Sequence, residues 1–336
     1  MKRNLQQKQY KTFFGRNAIL LAVTALALST SAAFAATTTW TDSTGSWFTD
    51  GNWDNHVPTC TTDAQINNGG TAQVSSPLQI GYAHDLTLGL NTADSGNVSV
   101  TGVNGGSLSI CGSVFVAYRG TGSMTVTNGG TVGGAVATSG NVSIASLAGQ
   151  LWVSNGSAKV DGNSTWTVSG EFDVGGTTSG AGGTGLLSVT NGGTVSAGTS
   201  VHVWNSGTLS GNGTVNVNSG SGTATDDGTL APNWTLTTTG NLTFGNAAAT
   251  MQCNVIPGNL GSVDAEVSGT ATLTGIVSVT MTGTFTPGTR FTLLHTSGGR
   301  NGKFSSQSIN FPTGQGFTPT ITYDTNDVYL YLQPNT

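Results

Sequence analysis

Short segments in which valine or leucine alternates with threonine or serine recur along this 336-residue chain, and Asn-Gly separates many of them. Alternation with a period of two places the apolar side chains on one face of a β-strand. Asn and Gly tolerate the positive φ that tight turns require. The sequence therefore predicts an all-β protein of repeated strand and turn units. Asn-Gly-Gly or Asn-Gly separates such segments at Asn68, Asn104, Asn128, Asn155, Asn191 and Asn212.

The spacing of these units indicates stacked coils. The segments Met124 to Val132 and Leu187 to Val195 are closely similar, and the interval between them equals three coils of about 21 residues each. A drifting period of roughly 20 to 25 residues is typical of a solenoid, whose coils pair with the coils above and below. Two antiparallel β-sandwiches are the alternative, because Asn-Gly hairpins suit them equally. Recurring units with few long loops favour the solenoid.

The first 35 residues have the order of a secretory signal peptide. An apolar run from Ala18 to Leu28 precedes small residues that end in Ala33-Phe34-Ala35, and this pattern predicts cleavage after Ala35. The apolar run is shorter than the roughly 20 residues of a spanning helix, so we expect no integral membrane segment after cleavage. Five basic residues precede the run: Lys2, Arg3, Lys8, Lys11 and Arg16.

The charge of the mature chain excludes two classes of partner. All 15 acidic residues but only five of the ten basic residues follow residue 35. The excess of acid, without a basic stripe, argues against binding to nucleic acid or to an anionic membrane surface. Disorder is the alternative for so polar a composition, but the recurrent Val/Thr alternation favours strands.

The three cysteines, Cys60, Cys111 and Cys253, leave the disulfide pattern open. At most one disulfide can form between any two of them, and one thiol must remain. Without a Cys-x-x-Cys pair, neither a zinc site nor a redox pair is predicted. Our expectation is that they are small buried side chains.

Composition divides the mature chain into three predicted regions. Residues 36–66 contain Trp40, Trp47 and Trp53 and are predicted to form an N-terminal aromatic cap on the solenoid. A carbohydrate-stacking platform is the alternative for these tryptophans. Residues 67–225 hold the repeats, and residues 226–336, with longer strands and more phenylalanine, are predicted to be a C-terminal β closing unit.

Three groups of motifs resemble the passenger regions of bacterial autotransporters with autotransporter-associated repeats, over nearly the whole mature chain. They are Trp40 with Thr44-Gly45-Ser46-Trp47, Gly51-Asn52-Trp53 and Val57-Pro58; Ser206 to Val215 with Gly228-Thr229-Leu230-Ala231-Pro232; and Gly269 to Leu273 with Phe291 to Leu294 and Gly302-Lys303-Phe304. The resemblance implies a right-handed parallel β-helix exposed outside a Gram-negative cell, and it implies no particular activity. The chain is expected to lack the C-terminal translocator barrel of that family.

No assembled active site is predicted. Glycoside hydrolysis needs paired carboxylates, and four acidic pairs are candidates for that role. In so polar a chain the sequence predicts that they are solvated surface groups. The histidines are scattered singly, without a metal-binding spacing. The sequence therefore predicts no catalytic, cofactor-binding or metal-binding residue and no cofactor. The acidic pairs are Glu171 with Asp173, Asp226 with Asp227, Asp264 with Glu266, and Asp324 with Asp327; the histidines are His56, His84, His202 and His295.

These observations predict a secreted or cell-surface, non-enzymatic β-solenoid of adhesin or scaffold type, with periplasmic retention as an alternative. Its expected partners are surface glycans or host or matrix surfaces. The alternative function is a parallel β-helix that binds or cleaves polysaccharide. The ligand, the oligomeric state and the route across the outer membrane are left open. Four tryptophans were considered as sugar platforms in the alternative: Trp152, Trp166, Trp204 and Trp234.

Overall fold

A computed structural model describes residues 35–133, 141–144, 148–149 and 152–336. Except for Ala35, the predicted signal peptide lies outside the described residues. The described chain is all-β and forms a parallel β-solenoid of about 10 turns. The predicted fold class is therefore confirmed, and the antiparallel sandwich alternative is wrong. Helix in the described residues is limited to four 3₁₀ turns: Asp50–Asn52, Gly102–Asn104, Asn218–Gly220 and Pro257–Asn259.

Thirty-seven strands are formed by the described residues. The first eighteen are β1 (Ala36–Thr39), β2 (Thr44–Ser46), β3 (Thr62–Ile66), β4 (Asn68–Val74), β5 (Ile80–Ala83), β6 (Leu86–Leu88), β7 (Ser95–Thr101), β8 (Ser107–Ile110), β9 (Val114–Val116), β10 (Thr121–Thr127), β11 (Thr131–Val132), β12 (Val142–Ile144), β13 (Ala148–Gly149), β14 (Trp152–Val153), β15 (Asn155–Asp161), β16 (Thr165–Val168), β17 (Phe172–Val174) and β18 (Gly176–Thr177). The others are β19 (Gly180–Ala181), β20 (Thr184–Thr190), β21 (Thr194–Ala197), β22 (Val201–Val203), β23 (Gly207–Gly211), β24 (Thr214–Val217), β25 (Thr223–Asp226), β26 (Thr229–Pro232), β27 (Leu236–Thr239), β28 (Asn241–Phe244), β29 (Thr250–Val255), β30 (Val263–Val267), β31 (Ala271–Leu273), β32 (Ile276–Met281), β33 (Arg290–Thr296), β34 (Arg300–Gly302), β35 (Ser306–Asn310), β36 (Phe317–Tyr323) and β37 (Asp327–Pro334).

Most strands belong to three sheets of eleven strands, and each turn supplies one strand to each sheet. The first sheet runs β1-β3-β6-β9-β12-β17-β22-β25-β28-β31-β34, and the second runs β2-β4-β7-β10-β15-β20-β23-β26-β29-β32-β35. The third runs β5-β8-β11-β16-β21-β24-β27-β30-β33-β37-β36. Two short hairpins, β13–β14 and β18–β19, lie outside these sheets.

Register shows that turn length varies more than the sequence repeat suggests. Met124 pairs with Ala158, and Ala158 pairs with Leu187. The interval between the two similar segments is therefore two long turns, not three short ones. The next two turns are shorter, since Leu187 pairs with Leu209 and Leu209 with Leu230. The predicted period of roughly 20 to 25 residues therefore holds for some turns and not for others.

The interior is a set of apolar columns formed by side chains in register. Met124, Ala158, Leu187 and Leu209 form one column in the second sheet, and each is at most 2% exposed. Burial of these side chains stabilises the fold by about 25 cal/mol for each Å² of apolar surface removed from water. Because a strand's side chains alternate, the same turns present their polar threonines, serines and asparagines outward.

Side chains at the start of the first sheet link successive turns. The carboxylate of Asp63 accepts the backbone N–H of Asp85, and that of Asp85 accepts the N–H of Ser113 at 2.7 Å. Farther along, the amide oxygen of Asn141 accepts the N–H of Glu171 at 3.0 Å. In each case the side-chain oxygen of a polar residue accepts a backbone N–H from the next turn. That N–H lies just before the strand and is therefore not satisfied by the strand's own pairing.

Asn-Gly marks corners only in part. Asn128 and Asn191 have φ of 54° and 49°, each followed by a glycine of positive φ, as the turn chemistry predicts. Asn155 and Asn68, by contrast, begin β15 and β4. The expectation of a corner is wrong at Asn155, because Gly156 pairs within the second sheet and interacts through its backbone.

The three N-terminal tryptophans pack at the first turn. Trp53 contacts Trp40 and Trp47 edge to face, with ring centroids 5.0 and 4.9 Å apart. All three are buried, and the edge strands β1 and β2 belong to the same turn. The faces of these tryptophans are therefore not available as a sugar platform, whereas the expected role of covering the end of the solenoid fits them. The limits of the cap, residues 36–66, stay a prediction.

The C-terminal end departs from the parallel pattern. Strands β36 and β37 form an antiparallel pair that adds to β33. Phe285, Phe291 and Phe317 are buried, and the ring of Phe285 contacts the other two. This arrangement covers the last strand of the third sheet, as expected of a closing unit, while the predicted start at residue 226 stays a prediction.

The cysteines divide into one disulfide and one buried thiol. Cys60 and Cys111 are bonded, with their Cα atoms 5.4 Å apart. Our expectation of small buried side chains is wrong for this pair, because their Cα atoms are close enough for a disulfide. It is confirmed for Cys253, which is buried in β29; burial raises the pKa of its thiol.

Reduction of the disulfide is expected to lower stability. Cys60 and Cys111 are 51 residues apart, and closing a loop of that length is worth about 4 kcal/mol in the chain-entropy model. Urea unfolding followed by circular dichroism, with and without a reductant, measures the change. In a Cys60→Ser, Cys111→Ser double variant the reductant should have no further effect, and an equal effect there would contradict the assignment.

One carboxyl group interrupts the apolar interior. Asp226 pairs in register with Val203 and Phe244 and is 1% exposed. Burial raises its pKa to about 8, while the backbone N–H of Gly228 donates to one oxygen and opposes the shift. The second oxygen has no hydrogen-bond partner. Asp226 is therefore most compatible with the fold when it is protonated.

We predict that stability falls as pH rises because of Asp226. Its folded pKa of about 8 exceeds the ordinary 3.8, so its contribution is complete below pH 3.8 and is lost as pH rises through 8. The slope from one such group is at most about 1.4 kcal/mol per pH unit. Unfolding midpoints measured from pH 5 to 9 should decline less steeply in Asp226→Asn.

The exposed Glu266 provides a control, since Glu266→Gln should leave the pH slope unchanged. Some slope should remain in Asp226→Asn, because burial also raises the pKa of Asp264 to about 7. An unchanged slope in Asp226→Asn would show that Asp226 does not titrate as assigned.

Candidate functional site

A groove of about 580 Å³ lies on the outer face of the third sheet. It follows the strands β16, β21, β24 and β27 of four successive turns. None of its lining residues is charged or aromatic, in the part of the chain that the structure describes. Hydroxyl and amide groups therefore provide its polar chemistry. The lining residues are Thr167, Val168, Ser196, Ala197, Gly198, Asn216, Ser219, Gly220, Thr239 and Ser268.

Register creates the polar floor of this groove. Thr167 pairs with Ser196, Ser196 with Asn216, and Asn216 with Thr239. Neighbouring strands are about 4.8 Å apart, so the four side chains repeat at that spacing over about 14 Å. Sequence analysis predicted polar faces but could not identify this column, because successive members lie a whole turn apart in the chain and meet only through the register.

Hydrogen bonds orient the side chains of the floor. The amide nitrogen of Asn216 donates to the Ser196 hydroxyl at 3.3 Å, and the Thr239 hydroxyl donates to the amide oxygen of Asn216. The Ser268 hydroxyl accepts the backbone N–H of Gly240 at 3.0 Å. The row is thus ordered before any ligand binds, while each group keeps unused hydrogen-bonding capacity.

One wall of the groove has unusual backbone. Asn218, Ser219 and Gly220 have consecutive φ values of 45°, 50° and 89°. Left-handed conformations in residues other than glycine cost free energy and concentrate at functional segments. Ser219 and Gly220 are exposed and line the groove.

A second site lies on the first sheet, where Glu171, Asp173 and His202 each offer one ligand atom within 4.8 Å of the others. Asp173 of β17 pairs in register with His202 of β22. Glu171 lies at the corner before β17. The sequence analysis predicted no metal ligands because the histidine lies one turn after the two acids; only knowledge of this turn's length could have brought them together.

The Asp173 carboxylate is buried although it belongs to the outward series of its strand. It is 0% exposed, and burial raises its pKa to about 6. The indole N–H of Trp204 donates to its Oδ1 at 2.9 Å, whereas Oδ2 has no hydrogen-bond partner. Trp204 also stacks on the His202 ring, with centroids 3.7 Å apart.

The other acidic pairs are not arranged for two-carboxylate catalysis. Asp226 is in the interior, while Asp227 contacts His202. Asp264 is buried next to the Cys253 thiol, and Glu266 is exposed.

Asp324 and Asp327 lie near the C-terminus. Both accept from the hydroxyl of Tyr329, at 2.8 and 2.9 Å. A shared tyrosine hydroxyl accounts for their proximity without a substrate.

Every histidine has an aspartate partner, contrary to our reading of them as isolated polar side chains. The closest N···O distances are between 2.7 and 2.9 Å. Two pairs join residues from successive turns of the solenoid, and His295 faces Asp327 across the antiparallel β33–β37 pair. The pairs are His56–Asp50, His84–Asp63, His202–Asp227 and His295–Asp327.

The tryptophans considered as sugar platforms differ in exposure. Trp166 is fully buried against Phe172, and Trp204 is held by Asp173 and His202. Trp234 is 51% exposed and has a φ of 72°. The side chain of Trp152 lies outside the described residues. Trp234 is therefore the most exposed of the three whose side chains the structure describes.

Among the described residues, no helix combines the length and the apolarity needed to cross a membrane. In comparisons with known proteins, no family model matches the chain and no curated protein matches it. Function is therefore inferred from the geometry of the groove and of the cluster at His202.

Proposed function

We propose that this protein is an exported, surface-associated β-solenoid of adhesin or scaffold type that contacts uncharged, hydroxyl-rich polymers such as glycans along the groove of the third sheet. The observation that carries the proposal is the ordered column Thr167, Ser196, Asn216 and Thr239. A polymer lying along it meets a hydrogen-bonding group at each turn.

The chemistry of the groove favours weak and repeated contacts. Hydrogen bonds between neutral groups contribute about 0.5–1.5 kcal/mol each, because water is displaced from both partners. Binding through several such contacts gains from multivalency rather than from one strong anchor. Without a charged lining residue, the groove offers no electrostatic preference for acidic polymers.

Export is supported by the covalent structure. The Cys60–Cys111 disulfide is typical of proteins that mature in an oxidising compartment, such as the periplasm or the cell exterior. The predicted signal peptide points the same way. The solenoid fold is also the one that the resemblance to autotransporter passengers implies, and that family membership is part of this proposal.

Cleavage of the bound polymer is the alternative function. A catalytic carboxylate must reach the scissile bond, but Asp173 and Asp226 are at most 1% exposed. The groove itself contains no carboxylate among the described residues that line it. These observations favour binding over cleavage.

A binding assay on immobilised neutral and acidic glycans tests the proposal. The wild-type protein should bind neutral chains with a Kd near the millimolar range and acidic chains no better. Ser196→Ala with Asn216→Ala removes two contacts and should weaken binding about 5- to 150-fold. Ser210→Ala is the matched control, because Ser210 faces outward on the second sheet.

Lack of binding to every neutral glycan, or equal binding by the double variant, would contradict the proposed function. The same samples can be examined for shortened polymer chains. Their appearance would assign the cleaving alternative instead.

A further inference from the structure

We propose that Glu171, Asp173 and His202 form a site for one divalent transition-metal ion of the Zn²⁺ type, with Asp227 positioning the histidine. The site lies on the first sheet and is separate from the proposed glycan groove. Its role is to cross-link the turns that carry β17 and β22.

The carboxylate of Asp173 is buried and only partly hydrogen-bonded. Asp173 is 0% exposed, and its Oδ2 has no hydrogen-bond partner in the described structure. A buried carboxylate oxygen without a partner is costly. Asp173 contributes to the three-residue cluster whose ligand atoms are within 4.8 Å of one another, so a cation there would complete its coordination.

The order of the strands places acidic side chains on both sides of His202. In the first sheet β22 lies between β17 and β25. His202 therefore has Asp173 on one side and Asp227, just after β25, on the other. Asp227 accepts from Nε2 of His202 at 2.8 Å. This leaves Nδ1 for the ion, in the carboxylate–histidine–metal arrangement that fixes the tautomer of a ligating imidazole.

Trp204 holds two of the three ligands in place. Trp204 stacks on the His202 ring and donates to Asp173 Oδ1, which leaves Oδ2 free to coordinate. The β18–β19 hairpin packs against this indole so closely that a Cβ on Gly176 would lie 2.3 Å from Trp204 Cδ1. Two ligands are thus held by one aromatic ring that the hairpin keeps in place.

The donor set determines the class of ion. One imidazole nitrogen with two carboxylates suits Zn²⁺, whereas Ca²⁺ and Mg²⁺ prefer oxygen alone. Zinc ligands at about 2.1 Å lie about 3.4 Å apart in a tetrahedron. Closure from separations of up to 4.8 Å requires side-chain movements of about 1 Å. The fourth position remains for water or another donor.

A second cluster on the same sheet shows the contrast. Asp63, His84 and Asp85 are also within 4.8 Å of one another, but all three are only partly buried. Asp63 Oδ1 already accepts from His84 and from a backbone N–H, and Asp85 accepts from Ser113. Protein donors and solvent satisfy this cluster, so it provides a matched control.

Equilibrium dialysis of the full chain, first freed of metal with a chelator, tests the site with Zn²⁺ alone. Elemental analysis should find one Zn²⁺ per chain, and Co²⁺ should give the visible absorption of nitrogen and oxygen coordination. Asp173→Asn and His202→Phe should each weaken binding at least tenfold, and Asp227→Asn by about 10- to 100-fold. Asp63→Asn should bind as the wild type does.

Circular dichroism must show that each variant is folded, and Glu171→Gln offers a second test at a partly exposed ligand. Three results would overturn the proposal: wild-type protein that binds no Zn²⁺, undiminished binding by folded Asp173→Asn and Glu171→Gln, or loss of binding in Asp63→Asn. Binding of Ca²⁺ as tightly as Zn²⁺ would overturn the assigned class of ion. None of these results depends on glycan binding, so the proposed function is tested separately.

Discussion

Parallel backbone pairing between successive turns is the constraint on which the structure depends. A strand can be satisfied only by an equivalent strand one turn away, so the paired segments keep their register while the linking segments vary. The turns from Met124 to Ala158 and from Ala158 to Leu187 are longer than the two turns that come next, from Leu187 to Leu209 and from Leu209 to Leu230. The additional residues include the β13–β14 and β18–β19 hairpins. Insertions at corners are therefore the means by which this fold changes its surface without changing its interior.

Three carboxyl groups are buried among the described residues, and the partners of each distinguish them. Asp226 accepts a backbone N–H, Asp264 contacts the Cys253 thiol, and Asp173 accepts from an indole. Burial raises the pKa of all three, and apolar residues in these places would be less costly to bury. Of the three, Asp173 is the one that belongs to a cluster of three side chains able to ligate a metal, which separates a candidate binding group from groups that are merely accommodated.

Local sequence was sufficient to predict the fold class, because Val/Thr alternation and the corners at Asn128 and Asn191 are properties of short segments. It was insufficient for the register. Dividing the interval between the two similar segments into three equal coils was wrong because the hairpins lengthen two turns. The groove and the His202 cluster depend on that register, since each joins residues from different turns. Asp226 shows the same limit: the sequence predicted a solvated surface group, which is wrong because the register places this acid on the inner face.

The two sites illustrate how one set of turns can serve two purposes. β16, β21 and β24 present the neutral floor of the groove, while β17 and β22 of the same turns present the acidic cluster on another sheet. Because each turn supplies one strand to every sheet, a change in turn length shifts both sites together, whereas a substitution within one strand alters only one. Ser196 and His202 are close neighbours in the chain, yet they can change independently. The chemistry of each sheet is therefore separable, although the backbone that positions both is shared.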